Sequence, residues 1–326
     1  MLAYIVRRLL VSIPMLIGMT FITFMAVLWA PGNFLAELKA NPYVSIEVIE
    51  QYEQKYHMNE PAIVQYGYWL RGLVQGDLGY SFVHKRPVAG LIGDHVLPTL
   101  LLVVSGMLFT WMVAIPVGVY CAVHQHEIRD RVLSLLAFVG MAIPNFFFAL
   151  LLLFFASVTG LFPLGGMKSL AQWDAMGPLA RTLDVAWHLI VPTIVLGTSG
   201  MAGLQRLTRG NMLEALRQQY VLTARAKGLP ENRVLYRHAL RTAINPLITI
   251  FGFAFSSLLG GAALTEIILS WPGLGSLLLA AVRAQDLYLV MGSVLISGVM
   301  LIGGNLLADI LLALSDPRIS YRQLAT

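Results

Sequence analysis

Six long stretches without an ionisable side chain constrain the fold of this chain more than any other feature of its sequence. An α-helix needs about 20 mostly apolar residues to cross the hydrocarbon core of a bilayer. We therefore predict an all-α, polytopic membrane bundle of six transmembrane helices. The fourth stretch is short, and we expect its helix to continue outward past His188. The predicted spans are Leu9–Ala30, Leu97–Val123, Val132–Val158, Leu189–Gln205, Ile244–Thr265 and Leu287–Ala308.

Composition excludes two other classes of protein. Hydrophobic residues make up 57% of the chain and charged residues only 12%, whereas soluble domains carry about 25% charged residues and disordered chains are poor in hydrophobic residues. The single cysteine, Cys121, lies in an apolar stretch, which argues against a disulfide framework or a cysteine-rich zinc site. Arg7 and Arg8 precede the first span, but that span is longer than the apolar core of a signal peptide, so we expect a retained helix.

The few charged residues are distributed unequally between the two sides of the predicted bundle. Six spans place both termini on one side, and the segments on that side contain 14 Lys and Arg residues against 6 acids. The opposite segments contain 8 Lys and Arg residues against 11 acids. Because positive charge is enriched in cytoplasmic loops, we predict cytoplasmic N and C termini. The net charge of +5 then reflects membrane topology, and we predict no nucleic-acid partner.

The external segment 31–96 is too long for a simple connection, and we predict two amphipathic helices within it. Ser45 is placed to cap the first helix. The second helix begins at Pro61 and ends near Gly76. Such helices lie on the membrane surface or cover the bundle, and contact with an external partner is the alternative. The apolar side of the second helix would carry Ile63, Tyr66, Leu70 and Leu73.

The internal segment 206–243 is also longer than a connector requires. Asn211 and Glu214 have the spacing of a capping box, which predicts the start of a helix there. Gly228 followed by Pro230 predicts the end of that helix and the start of another. The second helix would stack three arginines, whose mutual repulsion an acidic partner or anionic lipid would relieve. These arginines are Arg233, Arg237 and Arg241.

The same segment carries a resemblance to a known family. The run from Tyr220 to Leu229, followed by His238 and Pro246, is similar to the cytoplasmic signature loop of binding-protein-dependent ABC importer permeases. Within that family the chain resembles the first permease of the dipeptide, oligopeptide and nickel systems. The acidic residue that opens the broader signature is absent, as in that branch. Further similar motifs, in order, are Tyr4–Leu10, Ala30–Gly32, Pro61 with Gln65 and Tyr66, Gly76–Ser81, Trp271–Gly275 and Asp316–Arg318.

The resemblance implies a type I ABC importer permease fold in a bacterial cytoplasmic membrane. It implies an N-terminal helix with an external loop over residues 1–96 and a core permease domain over 97–326. It also implies three kinds of protein partner: a second homologous permease, two ABC ATPase subunits, and an external solute-binding protein. Segment 206–243 would dock the ATPases. The coupling residues would be Tyr220, Thr223, Ala224, Arg225, Ala226, Lys227, Gly228, Leu229 and His238.

Motifs for bond chemistry are missing from the sequence, so we predict no catalytic residue and no enzyme activity in this chain. It has no G-x-x-x-x-G-K-[ST] phosphate loop. We therefore expect no bound cofactor, with ATP and Mg²⁺ held by the partner ATPases. His124, His126 and Glu127 fit an exposed polar turn better than a metal site, and we predict no metal ligand.

Three further residues are candidates for a gate or for the transport pathway. Glu266 and Asp309 border predicted spans, where ionisable groups suggest function. Their positions near an interface suggest access to water, and Asp309 could pair with Arg318 or with a cation of a partner subunit. Trp271 opens the Trp-Pro-Gly motif that follows Glu266.

Together these features favour a translocation subunit that works by alternating access. Di- or oligopeptides are the expected cargo, and nickel or another small solute of the same branch is the alternative. An ion-coupled secondary transporter is an alternative of a different class, but it would require inverted repeats and ionisable residues at the bilayer midplane. A membrane-embedded enzyme lacks a plausible set of catalytic residues.

Overall fold

The computed structural model describes residues 2–30 and 59–315, apart from the side chains of residues 2–4, 248, 249, 252, 253, 256, 308 and 311–315. The helix predicted after Ser45, the Pro31-Gly32 motif and the tail motif from Asp316 to Arg318 lie outside the described residues. The chain forms two compact units. We call Leu2–Thr99 with Pro272–Ile302 the N-terminal unit, and Leu100–Trp271 with the chain from Gly303 the central unit. The functional division predicted at residue 96 stays a prediction.

In the N-terminal unit, helix α1 (Leu2–Trp29) packs with helix α2 (Ala62–Val74). The hydroxyl of Tyr66 on α2 donates to the carbonyl of Ile17 at 2.9 Å and lies 2.8 Å from the hydroxyl of Thr20. The predicted amphipathic helix is therefore present, but its buried side is wrong at one position. Ile63 is 72% exposed, whereas Trp69 is buried beside Tyr66.

A short antiparallel hairpin follows, with strands β1 (Tyr80–Ser81) and β2 (Arg86–Pro87). The unit also contains residues 88–99 of helix α3 (Val88–Val123), helix α10 (Leu274–Arg283) and residues 287–302 of helix α11 (Leu287–Ser315). The buried hydroxyl of Ser81 donates to the carboxylate of Asp286 at 2.5 Å. Because Asp286 also accepts the amide of Leu289 at 3.3 Å, this contact ties the hairpin to the start of α11.

The central unit contains the rest of α3 and of α11. It also contains helices α4 (Ile128–Ala142), α5 (Asn145–Thr159), α6 (Pro178–Leu216), α7 (Gln219–Ala226) and α9 (Asn245–Ile268). Helix α8 comprises Glu231–Arg233, a π-helical segment Val234–Ala239, and Leu240–Ala243. A 3₁₀ turn covers Trp173–Ala175.

Helices α3 and α6 approach each other closely at a pair of glycines. The hydroxyl of Thr110 donates to the carbonyl of Gly106 on its own helix at 2.8 Å and to that of Gly197 on α6 at 2.6 Å. A Cβ atom at Gly197 would lie 2.8 Å from the carbonyl oxygen of Gly106, so only glycine fits. Small residues at helix contacts are characteristic of membrane bundles, where close packing drives association.

The predicted membrane spans are largely helical. Among the described residues, four helices are long and apolar enough to cross a bilayer: Ile5–Trp29, Val88–Val123, Pro178–Leu216 and Leu287–Leu307. The predicted extension of the fourth span past His188 is confirmed, because α6 begins at Pro178. The fifth predicted span corresponds to helix α9, which is not among these four. The count of six spans is therefore approximate.

The third predicted span is not one continuous helix. It consists of α4 and α5, which meet at a bend of 100°. The break falls at Ile143, whose backbone is extended with ψ 121°. Proline disfavours a helical conformation at the preceding residue, so Pro144 ends α4 and allows α5 to start in a new direction. The predicted third span, Val132–Val158, is therefore two helices rather than one.

The segment 206–243 is helical but starts differently from the prediction. Helix α6 continues through Asn211 and Glu214 to Leu216, so no helix begins at a capping box there. The Asn211 amide instead donates to the carbonyl of Ala243 at 3.2 Å. Within α8 the π-helical segment interrupts the spacing on which a straight i, i+4, i+8 stack of Arg233, Arg237 and Arg241 depended.

Candidate functional site

Helix α7 is held firmly against the central unit by one apolar side. Val221 is fully buried and Ala224 is 5% exposed. Their packing partners come from α3, α6 and α8, so the position of α7 is fixed by three other helices. The buried partners are Val119, Ala122, Met212, Ala215, Val234, Leu235, Ala239 and Ala243.

The other side of α7 and the turn after it face outward. Tyr220 is 41% exposed and Leu222 is 45% exposed. Leu229, in the turn, and His238, on α8, are half-buried. The structure therefore places the predicted coupling residues from Tyr220 to Leu229 on α7 and the turn after it, with Ala224 as the member that points into the core, whereas His238 lies on α8. The other exposed members are Thr223, Arg225, Ala226, Lys227 and Gly228.

The end of α7 has the geometry of a Schellman motif. The amide of Leu229 donates to the carbonyl of Ala224 at 3.3 Å, and the amide of Gly228 donates to the carbonyl of Arg225 at 2.9 Å. Gly228 has a φ of +72°, in the left-handed region that glycine adopts without a steric penalty. The predicted helix end at Gly228 is confirmed.

An ion pair joins a residue before this turn to a residue after it. The Arg225 guanidinium donates from Nε at 3.2 Å and from a terminal nitrogen at 2.6 Å to the two oxygens of Glu231. This contact raises the pKa of Arg225 above its ordinary value. Because both side chains are substantially exposed, the pair adds little to stability. It does fix the approach of α7 to α8.

The cationic groups of the turn differ in their surroundings. Arg225 is partnered by Glu231, whereas Lys227 has no carboxylate within ion-pair distance among the residues that the structure describes. Lys227 therefore presents its ammonium group outward. A concavity of about 270 Å³ lies beside α7, and Glu214 is the acidic residue in its wall. The other wall residues include Asn211, Gln218, Tyr220, Thr242 and Pro246.

A polar cluster between α4 and α6 was missed by the sequence reasoning. Arg209 makes a two-pronged ion pair with Asp130, at 2.9 and 2.7 Å. The amide of Gln205 donates to the hydroxyl of Ser134 at 3.3 Å and to the sulfur of Cys121 at 3.4 Å. The available signal was Asp130, an acid in the first turn of a membrane helix, but no local pattern in the sequence identifies Arg209 as its partner.

The gate candidates lie apart from the α7 turn in sequence, and two of them are buried. Trp271 is fully buried among Leu102, Val103 and other apolar residues. Its amide donates to the carbonyl of Glu266 at 2.8 Å. Glu266 is also 0% exposed, so the expectation that water reaches it easily is wrong.

The third candidate, Asp309, lies half-buried on α11. Its suggested partner Arg318 falls outside the described residues. The structure therefore brings Glu266 and Trp271 together through the turn after α9. Asp309 lies on a different helix.

Two family models match almost the whole chain. One is described as the binding-protein-dependent transport system inner membrane component and matches residues 114–321. The other is described as the N-terminal part of such a membrane component and matches residues 1–104. The first match contains the complete α7 turn and the Arg209–Asp130 pair.

Curated relatives are similar to the chain over its full length. The oligopeptide transport system permease protein AppB of Bacillus subtilis is 44% identical over 323 residues, which cover 98% of this chain and 100% of the relative. The dipeptide transport system permease protein DppB of Escherichia coli K12 is 38% identical, with coverage of 99% and 100%. The glutathione transport system permease protein GsiC of Escherichia coli is 34% identical, with the same coverage.

Proposed function

This chain belongs to the family of binding-protein-dependent transport system inner membrane components, and from that premise we propose that it translocates peptides as one permease of an ATP-driven importer. The observation that supports peptide as cargo is the full-length similarity to relatives named for oligopeptide and dipeptide transport. The chain is a translocation subunit rather than an enzyme, so ATP is hydrolysed by separate subunits.

We propose that α7 and its Gly228 turn form the coupling helix that seats in a groove of an ATPase subunit. Three features of the element support this role. Its buried side is packed on three helices, its outer side carries small residues at Thr223, Ala226 and Gly228, and Lys227 offers an outward charge. Small residues allow a partner surface to approach the backbone closely, and the packed side prevents α7 from moving alone.

A push on α7 would then be transmitted as a rigid-body movement. Val221 and Ala224 belong to one buried cluster with residues of α3, α6 and α8, so a displacement of α7 would displace those helices as well. Packed interfaces switch between discrete arrangements rather than deforming continuously. ATP-driven closure of the partner ATPases would in this way open the permease outward, and hydrolysis would reset it.

The complete importer that we propose contains a second homologous permease, two ATPase subunits that hold ATP and Mg²⁺, and an external binding protein. Both termini of this chain would be cytoplasmic, as its Lys and Arg distribution favours. We further propose that Glu266 and Trp271, buried at the turn after α9, form a gate or anchor, and that Asp309 contributes to the pathway.

Purification and reconstitution test this function. A tagged copy extracted from membranes should carry with it a second six-span protein and Walker-type ATPases. In proteoliposomes containing these partners and the binding protein, a radiolabelled tripeptide should accumulate with ATP and not with a proton or sodium gradient alone. A lone chain that accumulates peptide on an ion gradient would refute the proposal, and uptake of nickel without peptide would refute its cargo.

A further inference from the structure

The central unit contains a cavity of about 490 Å³ between α3, α5, α6 and α9. Pockets for small ligands usually measure about 300–1,000 Å³, so this one has room for a small organic molecule. It is accessible from outside the unit, because Gly203 and Ser257 in its wall are exposed. The cavity does not include the α7 turn.

The wall of the cavity is neutral. Among the described residues, none in this wall carries an ionisable side chain; the polar ones are Thr110, Asn145, Ser199 and Ser257. Trp111 supplies an aromatic surface and is held by an edge-to-face contact with Phe251, with ring centroids 5.5 Å apart. Apolar groups of Met107, Leu196, Leu258 and Ile250 form most of the remaining wall.

Two of the polar side chains are already committed to the backbone. The hydroxyl of Thr110 donates to Gly106 and Gly197, and that of Ser199 donates to the carbonyl of Leu196 at 2.7 Å. The amide of Asn145 differs, since it has no hydrogen-bond partner among the residues that the structure describes. It is half-buried and lies beside Gly261, where a Cβ atom would be 3.9 Å from the Asn145 side-chain nitrogen.

The break between α4 and α5 explains this placement. Asn145 is the first residue of α5, directly after Pro144. In a straight, unbroken helix through this region, Asn145 would not be the first residue of a helix at the cavity wall. The 100° bend instead presents a side chain with two N–H donors and one carbonyl acceptor.

We propose that this cavity is a weak binding site for the backbone of the transported peptide, and that Asn145 is the residue that binds this backbone. The site rests on the proposed function and adds the place where this chain contacts its cargo. The Asn145 amide can donate to a peptide carbonyl and accept from a peptide N–H, while Trp111 and Met107 contact an apolar side chain.

The neutrality of the wall suits passage rather than storage. A transport site must bind cargo well enough to admit it and weakly enough to release it. A fixed charge would hold peptides of opposite charge and exclude those of like charge. The neutral amide recognises the backbone that all peptides share, so this site does not distinguish between their side-chain charges.

The test introduces a charge at Asn145. In proteoliposomes with the complete importer, N145D should raise the ratio of initial uptake rates of Ala-Lys-Ala to Ala-Glu-Ala by about fivefold, a size typical of partly solvated charge pairs. The matched control is Thr182→Asp, which adds the same charge at an exposed position at the start of α6, outside the cavity. Its ratio should equal that of the parent protein.

If N145D does not assemble with its partners, a second measurement tests the site. The only native cysteine, Cys121, is buried, so Ser257→Cys places one accessible thiol in the cavity wall. Saturating Ala-Ala-Ala should slow its modification by a maleimide at least threefold in the assembled importer.

The two measurements separate the site from the function. If N145D assembles, an uptake ratio equal to that of the parent protein overturns the site. If N145D does not assemble, the site is overturned when Ala-Ala-Ala fails to slow maleimide labelling of Ser257→Cys. A parent importer that accumulates no peptide refutes the proposed function and the site together. A parent that accumulates peptide but fails the relevant measurement refutes the site alone.

Discussion

Arg209 on α6 and Asp130 in the first turn of α4 form a two-pronged ion pair, although 79 residues separate them in sequence. Asp130 is almost fully buried, and its carboxylate also accepts the backbone amide of His126 at 3.2 Å. Removal of either partner leaves the other charge poorly satisfied, which is more costly than the net contribution of the intact pair. The pair therefore fixes how the broken span α4–α5 is attached to α6.

Loss of this ion pair should destabilise the protein. We expect Arg209→Ala and Asp130→Ala each to lower the stability of the permease by about 2–4 kcal/mol, because the first leaves the buried Asp130 carboxylate without its counter-ion and the second leaves the half-buried Arg209 without its carboxylate. Thermal inactivation of the purified importer in detergent measures the effect. Arg233→Ala, at an exposed position on α8, is the control and should change stability little. Equal effects of Arg209→Ala and Arg233→Ala would contradict the structural role.

Substitution of Gly228 should uncouple ATP hydrolysis from transport. Gly228→Asp should reduce substrate-stimulated ATPase activity and uptake while membrane insertion persists, because a side chain at φ +72° costs about 1–2 kcal/mol and obstructs the docking surface. Gly210→Ala is the control, since this glycine is helical and has open space where the methyl group of alanine would lie. Unchanged coupling in Gly228→Asp would remove the coupling role from α7.

Substitutions of Lys227 and Arg225 should have different consequences, the first for ATPase association and the second for stability. Lys227→Glu reverses an outward charge and should weaken binding of the ATPase subunits, with a loss that shrinks as salt concentration rises. Arg225→Ala breaks the exposed pair with Glu231 and should cost less than about 1 kcal/mol of stability. Co-purification of the ATPases at several salt concentrations measures the association. Equal retention by Lys227→Glu and the parent would contradict an electrostatic contact.

The hairpin in the N-terminal unit depends on both Gly79 and Ser81. Gly79 has a φ of +92°, and a Cβ atom there would lie 2.8 Å from the ring of Tyr288. We therefore expect Gly79→Ala to reduce the yield of folded protein strongly. Ser81→Ala removes the donor to buried Asp286 and should cost about 1–3 kcal/mol. Folded yield after detergent extraction measures both effects.

Gly67→Ala is the matched control for the hairpin substitutions, because this helical glycine on α2 has open space around it. Its yield should equal or exceed that of the parent. A yield of Gly79→Ala equal to that of Gly67→Ala would show that Tyr288 moves aside without cost.

The sequence predicted features that depend on short stretches of chain. Uncharged runs located the helices, because the cost of leaving polar groups in hydrocarbon acts on each segment separately. Gly228 and Pro230 marked the end of α7 correctly, since their backbone preferences are local. The capping-box prediction at Asn211 failed because α6 continues through it, and Asn211 bonds instead to Ala243 on another helix.

Some features were decided only by tertiary structure. The sequence by itself determined an all-helical membrane protein, its family resemblance and the position of the α7 turn. The tertiary structure decided that Ala224 points inward, that Asp130 pairs with Arg209, and that Asn145 enters a neutral cavity. The physical reason is that hydrophobicity and backbone propensity act over a few neighbouring residues. Ion pairing, burial and cavities depend on which distant helices pack together.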